Sequence, residues 1–307
     1  MIDNMKYYIT EKENFDFRTE EKQTVELKSK FNRQTGEIEE YPKKGRYYNM
    51  QVDLLKEKSF IKGSLHKLHN IILDGEEHNY NDFSFCELEQ TLDFMCDELY
   101  IRPDETKITN LEFGLNIDLP IDADRFLNHM LLMYDFKAPN RNETFNGRGN
   151  YREFKRTDYS FKIYNKSKHY KQKGNVVRFE IKITRSRLLE NKQIYNLRDL
   201  RSQDVMFRLF QLLLEQFDKL LIVDLKGMEK VLDKCHIGLI CDCTNPYYWN
   251  SLKQVSSYKV YSRIKRDCNR YIEDYSLNHT RLLIRDLLHK KFQEMMNCNE
   301  ESYQEAA

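Results

Sequence analysis

Three stretches of the sequence alternate between apolar and polar residues, which is the pattern of β-strands that bury one face. They span residues 108–119, 158–166 and 175–184. In the first stretch the apolar residues Leu111, Phe113, Leu115 and Ile117 share the buried face. The polar faces carry Glu112, Gly114 and Asn116, then Lys162, Tyr164 and Lys166, and finally Arg178 and Glu180. We therefore predict a sheet with one face in the core and one polar face.

The elements before residue 140 are mixed. Short strands are predicted at 7–10 and 24–31, and a strand hairpin at 46–55 and 59–69. Ser84 and Glu87 have the spacing of a capping box, which predicts the start of a helix that ends before Pro103. A second helix is predicted from Asp122 or Asp124 to about Tyr134.

Beyond Leu188 the apolar residues recur at helical spacing, and helices are predicted at 204–223, 225–235, 256–275 and 280–297. The fold class is therefore α+β. We predict a mixed or antiparallel sheet domain with flanking helices over residues 1–200, followed by a mostly helical C-terminal region over residues 201–307.

Positive charge is concentrated in one segment. Between Lys137 and Arg187 there are fifteen Lys and Arg residues against four Asp and Glu, although the whole chain carries a net charge of only +1. Tyrosines are interleaved with these cations, as a groove for a nucleic-acid backbone requires. A solvated basic face is the alternative. The candidate nucleic-acid contacts are Arg148, Arg152, Lys155, Arg156, Lys162, Lys168, Arg178, Lys182, Arg185 and Arg187.

Negative charge is concentrated just before this segment, with twelve acidic residues against two basic ones between Asp82 and Asp124. If the three alternating strands are neighbours, Glu112, Asn116 and Glu180 converge with Lys166. Oxygen ligands of this kind suit Mg²⁺ or Mn²⁺. The alternative is that these polar strand faces simply contact solvent.

Several classes of protein are disfavoured. No apolar run is long enough to span a membrane, and the chain opens into polar sequence without a secretory signal. Seven scattered cysteines indicate reduced thiols and a cytoplasmic protein. His66 and His69 are predicted on a strand, where their imidazoles would face opposite ways and could not share a metal. The pair Cys241 and Cys243 lacks zinc-site spacing.

Five short motifs follow one another between residues 46 and 200. They are Gly63-Ser-Leu-His-Lys67, His78-Asn79, Asn110-Leu-Glu-Phe-Gly-Leu-Asn116, Tyr164-Asn-Lys166 and Arg178-Phe-Glu180. In order and spacing this succession resembles the replication initiation proteins of rolling-circle plasmids and filamentous phages, the family that includes the phage gene-two endonuclease. The resemblance implies a Rep nickase-like sheet domain encoded by a plasmid, phage or other mobile element.

The resemblance also implies a chemistry. In that family a tyrosine cleaves single-stranded DNA with the help of a divalent metal and forms a 5′-phosphotyrosine. Tyr151 stands at the position of the nucleophile, with Tyr159 and Tyr164 as alternatives, and Lys166 would assist it. Glu112, Asn116 and Glu180 would hold Mg²⁺ or Mn²⁺. The implied partners are single-stranded or origin DNA and a host helicase.

The sequence departs from the family where acidic residues are expected. Asn116 and Asn165 replace aspartates of the family motifs, and Asn110 replaces an arginine. Loss of a carboxylate should weaken metal binding. Two alternatives therefore remain: a DNA-binding protein that keeps the initiator fold without its chemistry, and an RNA-binding or structural protein of unrelated fold.

Overall fold

The computed structural model of the chain describes residues 1–138, 143–144, 150–225 and 234–297. The strands are β1 (Ile2–Ile9), β2 (Lys43–Tyr47), β3 (Met50–Leu54), β4 (Ser59–Ser64), β5 (Thr106–Asp118), β6 (Leu131–Tyr134), β7 (Glu143–Thr144), β8 (Asn150–Lys155), β9 (Tyr159–Asn165), β10 (Val176–Ile183) and β11 (Leu220–Ile222). The α-helices are α1 (Lys12–Lys22), α2 (Leu65–Asp74), α3 (Phe85–Glu98), α4 (Ala123–Arg125), α5 (Lys166–His169), α6 (Ser186–Asn191), α7 (Gln203–Phe217), α8 (Lys234–Cys243), α9 (Pro246–Val255), α10 (Tyr258–Asp274) and α11 (His279–Met296).

Among the described residues the main sheet has nine strands in the order β2-β3-β4-β1-β5-β10-β9-β8-β7. Every strand pair in it is antiparallel. The two long strands β5 and β10 are neighbours at its centre and pair over eight residues, from Val176 opposite Asp118 to Ile183 opposite Leu111. The α+β prediction is confirmed.

Helices cover one face of this sheet. The apolar residues of β5 and β10 belong to a single core that also contains residues of α3, α7 and α11. Phe179 on β10 meets Phe217 on α7 with ring centroids 5.7 Å apart. Tyr7 on β1 contacts Met95 on α3. The opposite face of the sheet is left to the polar residues, as period-two alternation requires.

The C-terminal helices contribute to two cores. Ile284, Leu288 and Phe292 of α11 join the main core, whereas α8, α9 and α10 pack around Trp249 in a second one. Trp249 Nε1 donates a hydrogen bond to the carbonyl oxygen of Cys243 at 2.7 Å. The apolar stretch predicted as one helix over 204–223 is α7 followed by β11. The helix predicted over 225–235 falls mainly on residues outside the described ranges.

Several local predictions were wrong. The first strand begins at Ile2 rather than residue 7. Residues 24–31 form only two isolated β-bridges, between Lys28 and Lys44 and between Phe31 and Ile38. The second strand of the hairpin ends at Ser64, because the Ser64 hydroxyl caps α2 by accepting from the Lys67 amide. His66 and His69 therefore lie on a helix. The helix predicted up to Tyr134 is the short α4, one π-helical turn over Phe126–Met130, and then β6.

The structure bears on two features considered in the sequence, membrane spans and disulfide bonds. Within the described ranges, none of the helices combines the length and apolar character that crossing a membrane requires. Cys96, Cys241, Cys243 and Cys268 are free thiols, as predicted. Cys86 is disulfide-bonded, so the prediction that all thiols are reduced was wrong at this position.

The capping box at α3 is present as predicted. The Ser84 hydroxyl accepts from the Glu87 amide at 3.3 Å, and the Glu87 carboxylate accepts from the Ser84 amide at 2.5 Å. We expect Ser84→Ala to lower the free energy of unfolding by about 1 kcal/mol at pH 7. Urea denaturation would measure this. Ser202→Ala is the matched control, because Ser202 precedes α7 without a side-chain cap, and its loss should stay below about 0.5 kcal/mol.

Glu87 also predicts a pH dependence. Burial tends to raise the pKa of this carboxyl, but hydrogen bonds from His69 and Ser84 lower the pKa to about 2. A carboxyl whose pKa is depressed by folding stabilises the fold above its unfolded pKa. Its contribution should be lost as the pH falls from 4.5 towards 2, and Glu87→Gln should remove this part of the pH profile. An unchanged profile would contradict the assignment.

Candidate active site

The strand registers align the polar residues of the sheet into rows that cross it from strand to strand. One row runs Asn116, Arg178, Tyr164 and Tyr151; the next runs Gly114, Glu180, Lys162 and Glu153; the third runs Glu112, Lys182, Ser160 and Lys155. Directly opposed residues in adjacent strands project to the same face. The sheet therefore places these side chains on one polar face, which lies opposite the helices.

Three carboxylates meet at the centre of the polar face. Glu112 on β5 and Glu180 on the adjacent β10 are joined by Asp3 on β1, and one carboxylate oxygen from each lies within 4.8 Å of the others. All three side chains are buried. Sequence reasoning brought Glu112 and Glu180 together but missed Asp3. We call Asp3, Glu112 and Glu180 the carboxylate cluster.

A β-bulge brings Asp3 into the cluster. Ile2 pairs with Phe113 and Met5 with Leu111, so that two residues of β1, Asp3 and Asn4, oppose the single residue Glu112. A bulge of this kind re-aims side chains at the extra position. Asn4 Nδ2 donates to Glu112 Oε2 at 2.6 Å. The bulge also breaks the period-two alternation of β1, and for this reason the sequence pattern did not show the part of the strand before residue 7.

Gly114 makes room for the cluster. It lies directly opposite Glu180. A Cβ atom at this position would come within 2.5 Å of the Phe179 carbonyl oxygen and 3.1 Å of the Glu180 Cβ. The absence of a side chain therefore lets β5 and β10 approach closely beneath the carboxylates.

Cations surround the cluster. Lys182 Nζ lies 2.8 Å from Glu112 Oε1, and Lys162 Nζ lies 3.5 Å from Glu180 and 3.8 Å from Glu112. Arg178 Nε donates to Glu180 Oε2 at 2.9 Å. Burial and the neighbouring Glu180 raise the pKa of Glu112. Burial would also raise the pKa of Glu180, but Arg178 and Lys162 outweigh it and lower that pKa. The cluster thus combines carboxylates of unequal basicity.

Asn116 lies beside the cluster but faces cations. Its Oδ1 accepts from Lys166 Nζ and from Arg178 Nη1, both at 3.1 Å. Its amide donates to Asn81 and Asp82 at the start of the segment that leads to α3. Lys166 is buried, and this burial, together with the charge of Arg178, lowers its pKa to about 7. The predicted role of Asn116 as a metal ligand stays a prediction, as does that of Lys166 in catalysis.

The three candidate tyrosines occupy different environments. Tyr159 lies on the helix-covered face, where its hydroxyl shares hydrogen bonds with Tyr134 and Gln216. Tyr164 is on the polar face but buried, and burial raises the pKa of its phenol well above the usual range. Tyr151 is half-buried on β8 and pairs with Tyr164, which places it on the polar face. Of the three, Tyr151 is the one accessible from that face.

Most of the predicted nucleic-acid contacts are already paired with acidic or polar groups. Lys155 lies 3.3 Å from Glu153, Lys168 lies 2.7 Å from Asp124, and Arg187 lies 2.7 Å from Asp158. Lys162, Lys182 and Arg178 contact the carboxylate cluster, as given above.

The remaining predicted contacts are dispersed. Arg152 is buried on the helix-covered face, where it donates to the Leu127 carbonyl and to Asn128, so it offers no contact to a ligand on the polar face. Arg156 lies over the Tyr134 ring, and Arg185 is exposed just before α6. Arg148 lies outside the described residues.

The fold and the polar face can be compared with known proteins. The sequence matches no family model and no curated protein. Among solved structures, the chain is similar to a rolling circle replication initiator protein from Geobacillus stearothermophilus, with 10% sequence identity and a TM-score of 0.36. The match covers 62% of this chain and 78% of that one. A similarity of this size transfers no residue role to this chain.

Proposed function

We propose that this protein is a rolling-circle replication initiator, a metal-dependent enzyme that nicks and rejoins single-stranded DNA through a tyrosine. The observation that carries the proposal is the cluster of Asp3, Glu112 and Glu180 on the same sheet face as Tyr151. Tyr151 and Glu180 lie two strands apart and two residues apart along the strand direction, about 12 Å between their backbones at normal strand spacing and rise. A phosphodiester lying between them could reach both.

The donor set fits a hard divalent cation. Three buried carboxylates within 4.8 Å of one another offer the oxygen ligands that Mg²⁺ and Mn²⁺ prefer. Asp3, Glu112 and Glu180 would hold the ion, which when bound would polarise a phosphoryl oxygen. Lys162 and Lys182 have long flexible side chains and could turn from the carboxylates to a phosphate.

The chain's own residues would supply the covalent step. The Tyr151 oxygen attacks phosphorus as its phenol proton passes to solvent. The bond from phosphorus to the 3′-oxygen breaks, and that oxygen takes up a proton. The products are a 5′-phosphotyrosine and a free 3′-hydroxyl, so the reverse attack rejoins the strand. Arg178 would add positive charge to this part of the polar face, and Lys166 would add a second charge in its protonated form.

A second candidate is a DNA-binding protein that does not cut. It is favoured because every carboxylate of the cluster already accepts a hydrogen bond. Glu112 accepts from Asn4, Glu180 from Arg178, and Asp3 from Asn79 at 2.7 Å and from Ser64. Such a network can be purely structural.

Covalent trapping tests both candidates. Labelled single-stranded oligonucleotides are incubated with the protein and Mn²⁺, and a protein–DNA adduct is sought on a denaturing gel. We expect an adduct with the parent chain and none with Tyr151→Phe, whereas the control Tyr195→Phe, on an exposed side chain, should retain it. DNA retention without an adduct for any sequence would favour the non-catalytic candidate. An adduct that survives in Tyr151→Phe would overturn the choice of nucleophile.

A further inference from the structure

The polar face of the sheet continues beyond the carboxylate cluster as a cleft over β1 to β4. This cleft has a volume of about 680 Å³. One row of residues crosses its floor from β2 to β5: Arg46, Gln51, Lys62, Lys6 and Asn110. Five strands at normal spacing make this row about 19 Å long. Glu112 of the cluster lies at its β5 end. We call this depression the N-terminal cleft.

Three of the cations that line the N-terminal cleft have no acidic partner in the described part of the chain. Within the described ranges, Arg46, Lys62 and Lys6 form no salt bridge, in contrast to Lys155, Lys168 and Arg187. The acidic residues of the cleft are paired: Glu112 with Lys182, and Glu77 with Lys67 at 3.0 Å. Three cations that line the cleft, Arg46, Lys62 and Lys6, are therefore left without an acidic partner among the described residues.

An aromatic pair lies in the next row of the same face. Tyr8 on β1 opposes Phe60 on β4, with ring centroids 5.7 Å apart at a steep angle. Lys6 Nζ is 4.1 Å from the Phe60 centroid, and Lys58 Nζ is 5.0 Å from that of Tyr8. Tyr8 is half-buried, so part of its ring is open to a ligand. Aromatic rings beside cations form stacking platforms for unpaired bases.

We propose that the N-terminal cleft binds single-stranded nucleic acid. Arg46, Lys62 and Lys6 contact successive phosphates, the Asn110 amide donates to the backbone, and a base stacks on Tyr8. The bases of a duplex are paired and stacked on one another, so they cannot stack on the Tyr8 ring. The cleft therefore favours a single strand over a duplex. One part of this assignment rests on the proposed function, namely that the bound strand continues from the cleft to the carboxylate cluster. The strand would reach the cluster from the side that lies away from Tyr151.

Binding without cleavage tests the cleft separately from the chemistry. Fluorescence anisotropy of a labelled oligothymidylate is measured in EDTA over a range of salt concentrations. Arg46→Gln/Lys62→Gln should weaken binding at least tenfold and reduce the salt slope of log K by about 1.4, because two phosphate contacts are removed. Tyr8→Ala should weaken binding about tenfold and leave the slope unchanged.

Two comparisons decide the outcome. The matched control Lys253→Gln/Lys259→Gln removes the same charge from exposed positions on α9 and α10 and should bind as the parent does. The proposal is overturned if the parent binds no single strand, or if the control loses as much affinity as the cleft variant. Cleft-dependent binding by a protein that never forms a tyrosine adduct would defeat the proposed function and leave the cleft assignment standing.

Discussion

Arg178→Met should lower the free energy of unfolding by about 3–5 kcal/mol, because it leaves a buried charge without its partner. Arg178 is 2% exposed and Glu180 is 3% exposed. The guanidinium donates to Glu180 and also to Asn116. Its removal leaves Glu180 with Lys162 at 3.5 Å as the nearest cation. Urea denaturation at pH 7, followed by circular dichroism, measures the change.

Two further variants show whether the loss of stability comes from breaking the buried pair or from removing a positive charge in general. Arg178→Met/Glu180→Leu replaces both partners by apolar side chains and should recover most of the stability, since a buried pair adds little over apolar packing. Arg187→Met breaks the pair with Asp158, in which the arginine is 68% exposed, and should cost at most about 1 kcal/mol. A loss at Arg178 no larger than at Arg187 would show that the pair is accessible to water.

The centre of the sheet could be predicted from sequence because its pattern is local. From Leu111 to its end, strand β5 alternates without interruption, so the assignment of Glu112 to one face and Phe113 to the other follows from period two alone. The same holds for Arg178 and Glu180 on β10. Their adjacency required only that the strands be neighbours, and the register of β5 with β10 satisfies that condition.

Asp3 could not be predicted because its position depends on a bulge. The buried apolar residues of β1 are Ile2, Met5, Tyr7 and Ile9, and the three-residue step between the first two hides the beginning of the strand. The extra residue is stabilised by pairing with β4 and β5, which come from later in the chain. A pattern within ten residues carries no information about those partners.

The position of the free positive charge was also hidden. The cations of residues 137–187 are conspicuous in the sequence because they lie close together along the chain. Tertiary structure, however, places Asp124 beside Lys168 and Asp158 beside Arg187. The cations of the N-terminal cleft come from residues 6, 46 and 62, which are scattered along the chain and meet only through strand pairing. Charge density along a sequence therefore differs from charge density on a surface.

Mn²⁺ should stabilise the folded protein through the carboxylate cluster. The three carboxylates come from β1, β5 and β10 and are gathered only by folding. Because an ion held by them binds the native state and not the unfolded chain, Mn²⁺ at one hundred times its dissociation constant should raise the free energy of unfolding by about 2.7 kcal/mol. Denaturation with and without Mn²⁺ measures this. The gain should shrink as the pH falls, because the raised pKa of Glu112 allows it to protonate first.

Glu112→Gln should abolish the Mn²⁺ response, since an amide replaces one of the three charged ligands. Asp118→Asn is the matched control, because Asp118 is exposed near the end of the same strand, about 20 Å from Glu112 at the rise of a β-strand. It should leave the response intact. A response of equal size in Glu112→Gln would place the ion elsewhere. Without any response in the parent chain, the three carboxylates would be a structural network held by Lys162, Lys182 and Arg178, and the non-catalytic candidate would be the one that remains.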